Sequence, residues 1–349
     1  MHSDTSAVRA AEELPVNALA EYLRGKLEDA ETGIAVEQFP DGHSNLTYLL
    51  RCGNAREYVL RRGPLGPVAP KAHDMAREFR VLQAVHRHFR EAPEPHLLCE
   101  DSSVIGAVFF VMERRRGTIL RTEVPSEFLA SPDHPSRISE AFIDCMVRLH
   151  AIEIVGGDLE GLGKAEGFLA RQVQGWAERW ARARTDELQE MELVGQWLAQ
   201  QMPASLPPTL VHNDYKLDNV MFRSVDDVEA VLDWEMATIG DPLADLGLTL
   251  CYWSWINAPD ASFGTPGVTS RAGWYTRDEF VGRYAERTGR DLSRMLYYEV
   301  LGIYKLAVIL QQIYFRFRRG QTHDERFRHF DQRVAALARL ATSLVEKHA

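Results

Sequence analysis

The chain has 349 residues, 45% of them hydrophobic and 26% charged, which places it among ordinary globular proteins and excludes disordered, collagenous and coiled-coil classes. Its 50 acidic residues against 40 basic ones leave a formal charge of −10, the wrong overall sign for a chain whose main partner is a nucleic acid or an anionic membrane. At roughly 150 residues per domain the length predicts about two domains or lobes. Cys52, Cys99, Cys145 and Cys251 are scattered, with no paired Cys-x-x-Cys spacing, and read as reduced thiols of a cytoplasmic protein. Asp4, Arg9, Glu12 and Glu13 precede any apolar run and argue against a signal-peptide core. Val104 to Met112, the longest strongly apolar stretch, falls well short of the roughly 20 residues that span a bilayer as a helix, so no membrane crossing is expected.

In chain order, Ile34–Phe39, Leu46–Arg51 and Glu57–Arg62 alternate apolar and polar residues between Pro40-Asp41-Gly42 and Cys52-Gly53-Asn54, the pattern of an antiparallel meander. His73–His88 places Met75, Phe79, Leu82 and Val85 at helical spacing, and Pro93 and Pro95 end the run. Leu97–Glu100 and Ala107–Met112 read as two more strands. From Glu140 the helical period dominates, with Phe142, Met146 and Leu149 in one run, Trp176 and Trp180 in a second, Leu188 to Leu198 in a third and Leu292–Phe317 in the last. Leu296, Val300, Ile303, Ala307, Leu310 and Ile313 mark the buried side expected of that last helix. Thr209–His212 and Val228–Asp233 are short apolar strands that end in polar residues. The fold class is therefore α+β, with a small five-stranded antiparallel β lobe carrying one helix over residues 1–115 and a larger, mainly α-helical lobe over 116–349. Such an arrangement predicts a cleft between the lobes.

The strongest chemical signal is His212-Asn213-Asp214-Tyr215-Lys216-Leu217-Asp218-Asn219, followed by Val231-Leu232-Asp233-Trp234-Glu235. Phosphoryl transfer from a metal nucleotide needs one acid to accept a hydroxyl proton, and an amide with a second acid to hold the metal that bridges the phosphates. The spacing His-x-Asp-x-x-x-x-Asn with an Asp downstream is that of a kinase catalytic loop.

On these segments the chain resembles the aminoglycoside phosphotransferase and choline kinase-like family, which has the protein-kinase fold. LVHNDYKLDNVMF and AVLDWEMATIGDPLADLG carry the resemblance, with HSNLTYLL, YVLRR and AHDMAREFRVL in the first lobe, and the nearest branch is the one fused to acyl-CoA dehydrogenases. The resemblance implies ATP and Mg²⁺ as cofactors, Asp214 as catalytic base, His212 as the residue that orients the loop, and Asn219 and Asp233 as metal ligands. Strand parity puts Val59 and Arg61 on one face and Tyr58, Leu60 and Arg62 on the other. By resemblance Val59 lines the adenine pocket and Arg61 meets the phosphates where most relatives carry Lys, with Glu78 as its helix partner. The nearest lysine, Lys71, lies in a loop. Ser44 and Asn45 stand in the turn that would cover the phosphates, although Gly42 is its single glycine, and Met112 and Glu113 open the expected hinge that would bind adenine through the main chain.

Asp241 and Asp245 read as structural supports, with Asp241 and Pro242 suited to a helix start. His150, Cys251, Trp176, Trp180 and Trp197 read as packing residues. The expected activity is transfer of the γ-phosphoryl group to a hydroxyl of a small molecule by a protein that binds neither nucleic acid nor membrane, with a homodimer as a compatible assembly. Cys251–Tyr275, the expected acceptor segment, holds one acid, Asp260, beside Tyr252, Trp253, Trp255, Phe263 and Trp274, while Arg316, Arg318, Arg319, Arg326 and Arg328 cluster at and beyond the end of the last helix. That balance favours a hydroxyacyl-CoA or other anionic alcohol over a polycationic aminoglycoside, with choline-type cations open through cation–π contact. A catalytically silent nucleotide-binding regulator is the rival from a different class. The presence of Asp214, Asn219 and Asp233 speaks against it, and Trp-Glu after Asp233, where protein kinases have Phe-Gly, speaks against a protein kinase.

Overall fold

The structure is a computed structural model that describes residues 4–40, 45–53, 56–64, 74–154, 157–256, 267–322 and 324–347. These residues fall into two compact units, Met1–Gly117 with Glu229–Glu235, and Thr118–Val228 with Met236–Ala349. Sequence reading assigned 229–235 to the second part. The Val231 N–H donates to the carbonyl of Glu91 at 2.8 Å, and the Trp234 ring meets Phe89 edge-on with centroids 5.9 Å apart, which ties this segment to the first unit.

The first unit is a five-stranded antiparallel sheet, with β1 (Ile34–Gln38), β2 (Leu46–Cys52), β3 (Arg56–Arg62), β5 (Phe109–Glu113) and β4 (Pro95–Cys99) side by side in that order. Pro95 starts β4, an edge position where a missing N–H costs no ladder bond, so it belongs to the strand and not to the break before it. One face packs Tyr48, Leu50, Tyr58, Leu60, Phe109 and Val111 against Leu19 and Leu23 of α1 (Val16–Leu23), a helix that sequence reading missed. The opposite face carries Val59, Arg61, Phe110 and Met112. It receives α2 (Met75–His86), whose Phe79 lies 6.1 Å from the Phe110 ring. Asp74 caps α2 by accepting from the Arg77 N–H at 2.9 Å.

In the second unit β6 (Thr118–Ile119) pairs with β8 (Val220–Ser224), and β7 (Thr209–Val211) pairs with β10 (Thr238–Gly240); β9 (Asp227–Val231) crosses the division of the chain. Around them stand α3 (His134–His150), α4 (Phe168–Ala183), α5 (Gln189–Gln200), α6 (Pro242–Leu250), α7 (Arg277–Thr288), α8 (Met295–Arg318) and α9 (Phe330–Glu346). Sequence reading gave α8 a single buried side, yet every residue from Tyr297 to Val308 is buried while Leu296, Leu310 and Ile313 are only half-buried. A helix enclosed by α4, α5, α6 and α9 is buried all round, polar Glu299, Lys305 and Gln311 included. Its 24 residues are long and apolar enough to cross a membrane by length and composition, a feature that the search for an unbroken apolar run overlooked; 61% of its apolar window is buried within the protein.

Helices α6 and α8 cross backbone to backbone. A Cβ on Gly247 would stand 2.2 Å from the carbonyl oxygen of Tyr298, and one on Gly302 2.8 Å from that of Gly247. Glycine at this crossing lets the two helices that carry Asp245 and Lys305 approach the same loop. Gly247→Ala should therefore lose about 1–3 kcal/mol of stability from overpacking, although Ala in a helix interior ordinarily gains about 1 kcal/mol over Gly. Urea unfolding of the two proteins measures this, and a more stable Ala variant would contradict the close crossing.

Candidate active site

The loop from His212 to Asn219 leaves β7 and reaches β8 through a short 3₁₀ turn, Leu217–Asn219. Asn213 adopts φ +64°, a left-handed conformation that short polar side chains tolerate better than most. Two buried charges of opposite sign hold it there. Asp245 of α6 accepts the N–H groups of His212 at 2.7 Å and Asn213 at 2.8 Å, and Lys305 of α8 donates to the carbonyl of Asn213 at 3.0 Å. His150 Nε2 lies 3.2 Å from Asp245, and its Nδ1 lies 2.7 Å from the Tyr284 hydroxyl. Burial opposes the charge of Asp245, but the hydrogen bond from His150, with the charges and N–H donors around it, holds the carboxyl below the usual range. His150 therefore belongs to a polar chain rather than to simple packing, while Asp245 and Asp241 do serve as supports. Asp241 caps α6 through Leu243 N–H at 2.9 Å and accepts from Leu206 N–H at 3.1 Å and the Tyr298 hydroxyl at 2.8 Å.

Asp214 projects from this fixed backbone with its side chain 21% exposed. Its Oδ2 accepts from Lys216 Nζ and from Asn219 Nδ2, each at 2.8 Å, and its Oδ1 accepts from the Tyr252 hydroxyl at 3.2 Å. The Asp214 N–H donates to His212 Nδ1 at 3.3 Å. Burial works against the Lys216 ammonium, but Tyr252 and Asp214 beside it raise its pKa above the ordinary lysine value. Sequence reading overlooked Lys216 and Lys305 and placed Tyr252 only in an acceptor wall. The His-x-Asp-x-Lys spacing was the available signal for Lys216; Lys305 gave none, because it stands in an otherwise apolar run. Tyr252 lies in the π-helical segment Cys251–Ile256, and Trp253 packs on Phe142 and Trp274. Asp260, Phe263 and the side chain of Trp255 lie outside the described residues.

The first unit gathers a second cluster. Arg61 NH2 lies 3.4 Å from Glu78 Oε1 and 3.1 Å from Asp233 Oδ1, while Arg62 turns to the carbonyl of Ile105 at 3.2 Å, as strand parity predicts. Burial opposes the Arg61 charge, but Glu78, Asp233 and Glu235 more than offset it and raise its pKa. Burial pushes the Glu78 carboxyl up to about 7, against the pull of Arg61. Asp233 adopts φ +68°. Asn45 donates to Glu235 Oε2 at 3.0 Å, and Asn45 Oδ1 and Arg61 Nε are buried without a hydrogen-bond partner among the described residues. Val59 and Met112 are cross-strand neighbours on the Arg61 face. The Glu113 N–H donates to the carbonyl of Glu94 at 2.8 Å. Ser44 and Lys71 lie outside the described residues.

No group of three or more His, Cys, Asp or Glu side chains that could hold a metal occurs among the described residues. Mg²⁺ in phosphoryl transfer takes one or two protein oxygens and completes its shell with phosphates and water. An Asn219 whose amide nitrogen is committed to Asp214, leaving its carbonyl oxygen as the donor atom, fits that need, as does the Asp233 carboxylate.

Lys305 is also a pH probe of the loop. Burial pushes its ammonium down to about 8, with Asp214 and Asp245 opposing the fall and Arg179 and Lys216 adding to it. In the unfolded chain a lysine titrates near about 10.4. Between these values the unfolded state binds more protons, so this residue makes stability rise with pH across that window and leaves its full penalty in place below it. The stability of Lys305→Met relative to wild type should therefore fall by on the order of 3 kcal/mol between pH 7 and pH 10.5. Urea unfolding at both pH values measures the difference, and a constant gap would contradict a buried, depressed ammonium.

Over 348 residues, 99% of this chain and 32% of the other, the sequence is 33% identical to acyl-CoA dehydrogenase family member 10 of Mus musculus. The chain spans about a third of that relative, and 42% of the length of human acyl-CoA dehydrogenase family member 11, with which it is 32% identical over 94% of its own length. A solved Ralstonia eutropha JMP134 protein, provisionally assigned as an aminoglycoside phosphotransferase, superposes with a TM-score of 0.79 at 27% identity, covering 96% of this chain and 99% of that one. Choline kinase from Cryptosporidium parvum shares the fold at a TM-score of 0.66 and 13% identity, covering 95% and 97% of the two chains. Other solved structures of this fold hold ATP with streptomycin, or ADP with spectinomycin. Residues 35–296 match the sequence model of the phosphotransferase enzyme family, and the protein, with its protein-kinase-like fold, belongs to that family.

Proposed function

We propose that this phosphotransferase moves the γ-phosphoryl group of ATP to a hydroxyl of a small molecule, with Asp214 as the base. The observation that carries the reading is the Asp214 carboxylate, partly exposed on a backbone gripped by Asp245 and Lys305 and steadied by Lys216, Asn219 and Tyr252. A base must be held within reach of the proton it takes, and this one sits on a loop whose backbone is hydrogen-bonded to Asp245 and Lys305. The acceptor hydroxyl oxygen bonds to the γ-phosphorus, its proton passes to Asp214, and the bond to the bridging oxygen of ADP breaks. Mg²⁺, when bound, would offset charge on the phosphates, and Asn219 and Asp233 would hold it. Arg61, kept charged by its carboxylates, is assigned to the phosphates and Glu78 to its placement; Val59 and Met112 are assigned to adenine. The unpartnered Arg61 Nε and Asn45 Oδ1 support a polar ligand beside them.

For the acceptor we favour an uncharged or anionic alcohol, a hydroxyacyl-CoA among them, over a polyamine. The described part of the aromatic segment supports this, since Trp253 packs on Trp274 and none of the segment's described residues is acidic. Two of the five arginines at and beyond the end of α8 do not add to the case. Arg326 pairs with Asp324 at 2.9 Å and Arg328 with Glu325 at 2.6 Å, so these charges are locally balanced. The four cysteines, free and buried, suit a reducing compartment such as the cytoplasm.

Asp214→Asn should lower phosphoryl transfer by on the order of 10²-fold or more while leaving MgATP affinity nearly unchanged, because the base acts in the transition state. Coupled ADP release across a panel of amino, choline-like and acyl-CoA alcohols measures it. Turnover within a few-fold of wild type would remove Asp214 from the role.

A further inference from the structure

We infer that Tyr252 guards the base against water, so that an acceptor must compete with its hydroxyl for the one oxygen of Asp214 left to take the proton. The inference rests on the assignment of Asp214 as base and goes on to what the base is allowed to deprotonate. A carboxylate has about four lone-pair positions. Lys216 and Asn219 fill the two on Oδ2, at 2.8 Å each, so an incoming proton has only Oδ1 to go to. Tyr252 takes one of the two positions on that oxygen, its hydroxyl 3.2 Å away, and leaves a single one open.

The surroundings fix Tyr252 in this place. Residue 252 lies in the π-helical turn Cys251–Ile256 that continues α6, and such turns recur at functional sites because they re-aim a side chain. The Lys216 ammonium lies over the Tyr252 ring, 5.0 Å from its centroid, and at the same time bonds the carboxylate, so ring and base are held by one cation. The Thr249 hydroxyl, three residues earlier, donates to the carbonyl of Tyr215 at 2.8 Å and ties the start of the turn to the catalytic loop. A phenylalanine would fill the same space and keep the cation–π contact. What the hydroxyl adds is a donor directed at the one oxygen of the base that still has room.

This arrangement discriminates between nucleophiles. Water has no other anchor and must compete with a pre-placed phenol for Oδ1. An alcohol bound through the rest of its structure can offset the lost hydrogen bond with that binding energy. Tyr252 is thus a positioning residue that acts through Asp214 and separates transfer from futile hydrolysis.

The test needs no knowledge of the acceptor. ADP and inorganic phosphate formed from MgATP in acceptor-free buffer are measured for wild type, Tyr252→Phe, Asp214→Asn and the double variant, with MgATP affinity determined by calorimetry for each. Tyr252→Phe should raise acceptor-free hydrolysis on the order of 10-fold, the worth of one hydrogen bond to a charged group, at unchanged MgATP affinity. Asp214→Asn should abolish that rise in the double variant, a pattern that general loosening of the structure would not produce. Hydrolysis by Tyr252→Phe at or below the wild-type rate with normal MgATP binding would overturn the guard while leaving the phosphotransferase reading intact. Failure of the wild type to bind MgATP would overturn both.

Discussion

The second unit is organised around a carboxylate that water does not reach. Asp245 is fully buried, and an isolated charge in that position would be prohibitive; it persists because two backbone N–H groups and His150 donate to it. The two N–H groups, those of His212 and Asn213, belong to the loop that presents Asp214, so satisfying the carboxylate and shaping the loop are the same event. Lys305 completes the arrangement from the opposite side of the Asn213 peptide. The glycine crossing of α6 with α8 lets both charges come this close to one loop. In this way the electrostatic cost of burying ions is converted into a single backbone conformation, with a left-handed residue directly before the base.

The first unit applies the same logic to a cation. Arg61, Glu78, Asp233 and Asn45 come from a strand, a helix, the returning segment 229–235 and the residue before β2, and more than one carboxylate surrounds the single guanidinium. Such a cluster holds Arg61 charged and aimed, which a flexible lysine would need help to match. Its Nε is buried without a hydrogen-bond partner among the described residues.

Much of this was legible in sequence because it follows short-range rules. Alternation gave the three strands of the meander and the parity that separates Arg61 from Arg62, and helical spacing gave α2 with Glu78 on it. The His-x-Asp-x-x-x-x-Asn spacing located the loop. What stayed hidden depends on packing between distant segments. The return of 229–235 to the first unit, the role of Lys305 in an apolar helix, and the hydroxyl of Tyr252 on Asp214 all join residues far apart in the chain. Helix α1 was missed because eight residues leave little periodic signal, and α8 was read as one-sided because nothing local reports that four other helices enclose it.

The central claim is that the chain binds a magnesium nucleotide through the residues its motifs single out. Calorimetric titration of ATP into wild type and Asp233→Ala, each with Mg²⁺ and with EDTA, tests it most directly. The expected result is binding by wild type that depends on Mg²⁺ and is lost in Asp233→Ala. Equal binding by the two proteins, or wild-type binding indifferent to Mg²⁺, would contradict it.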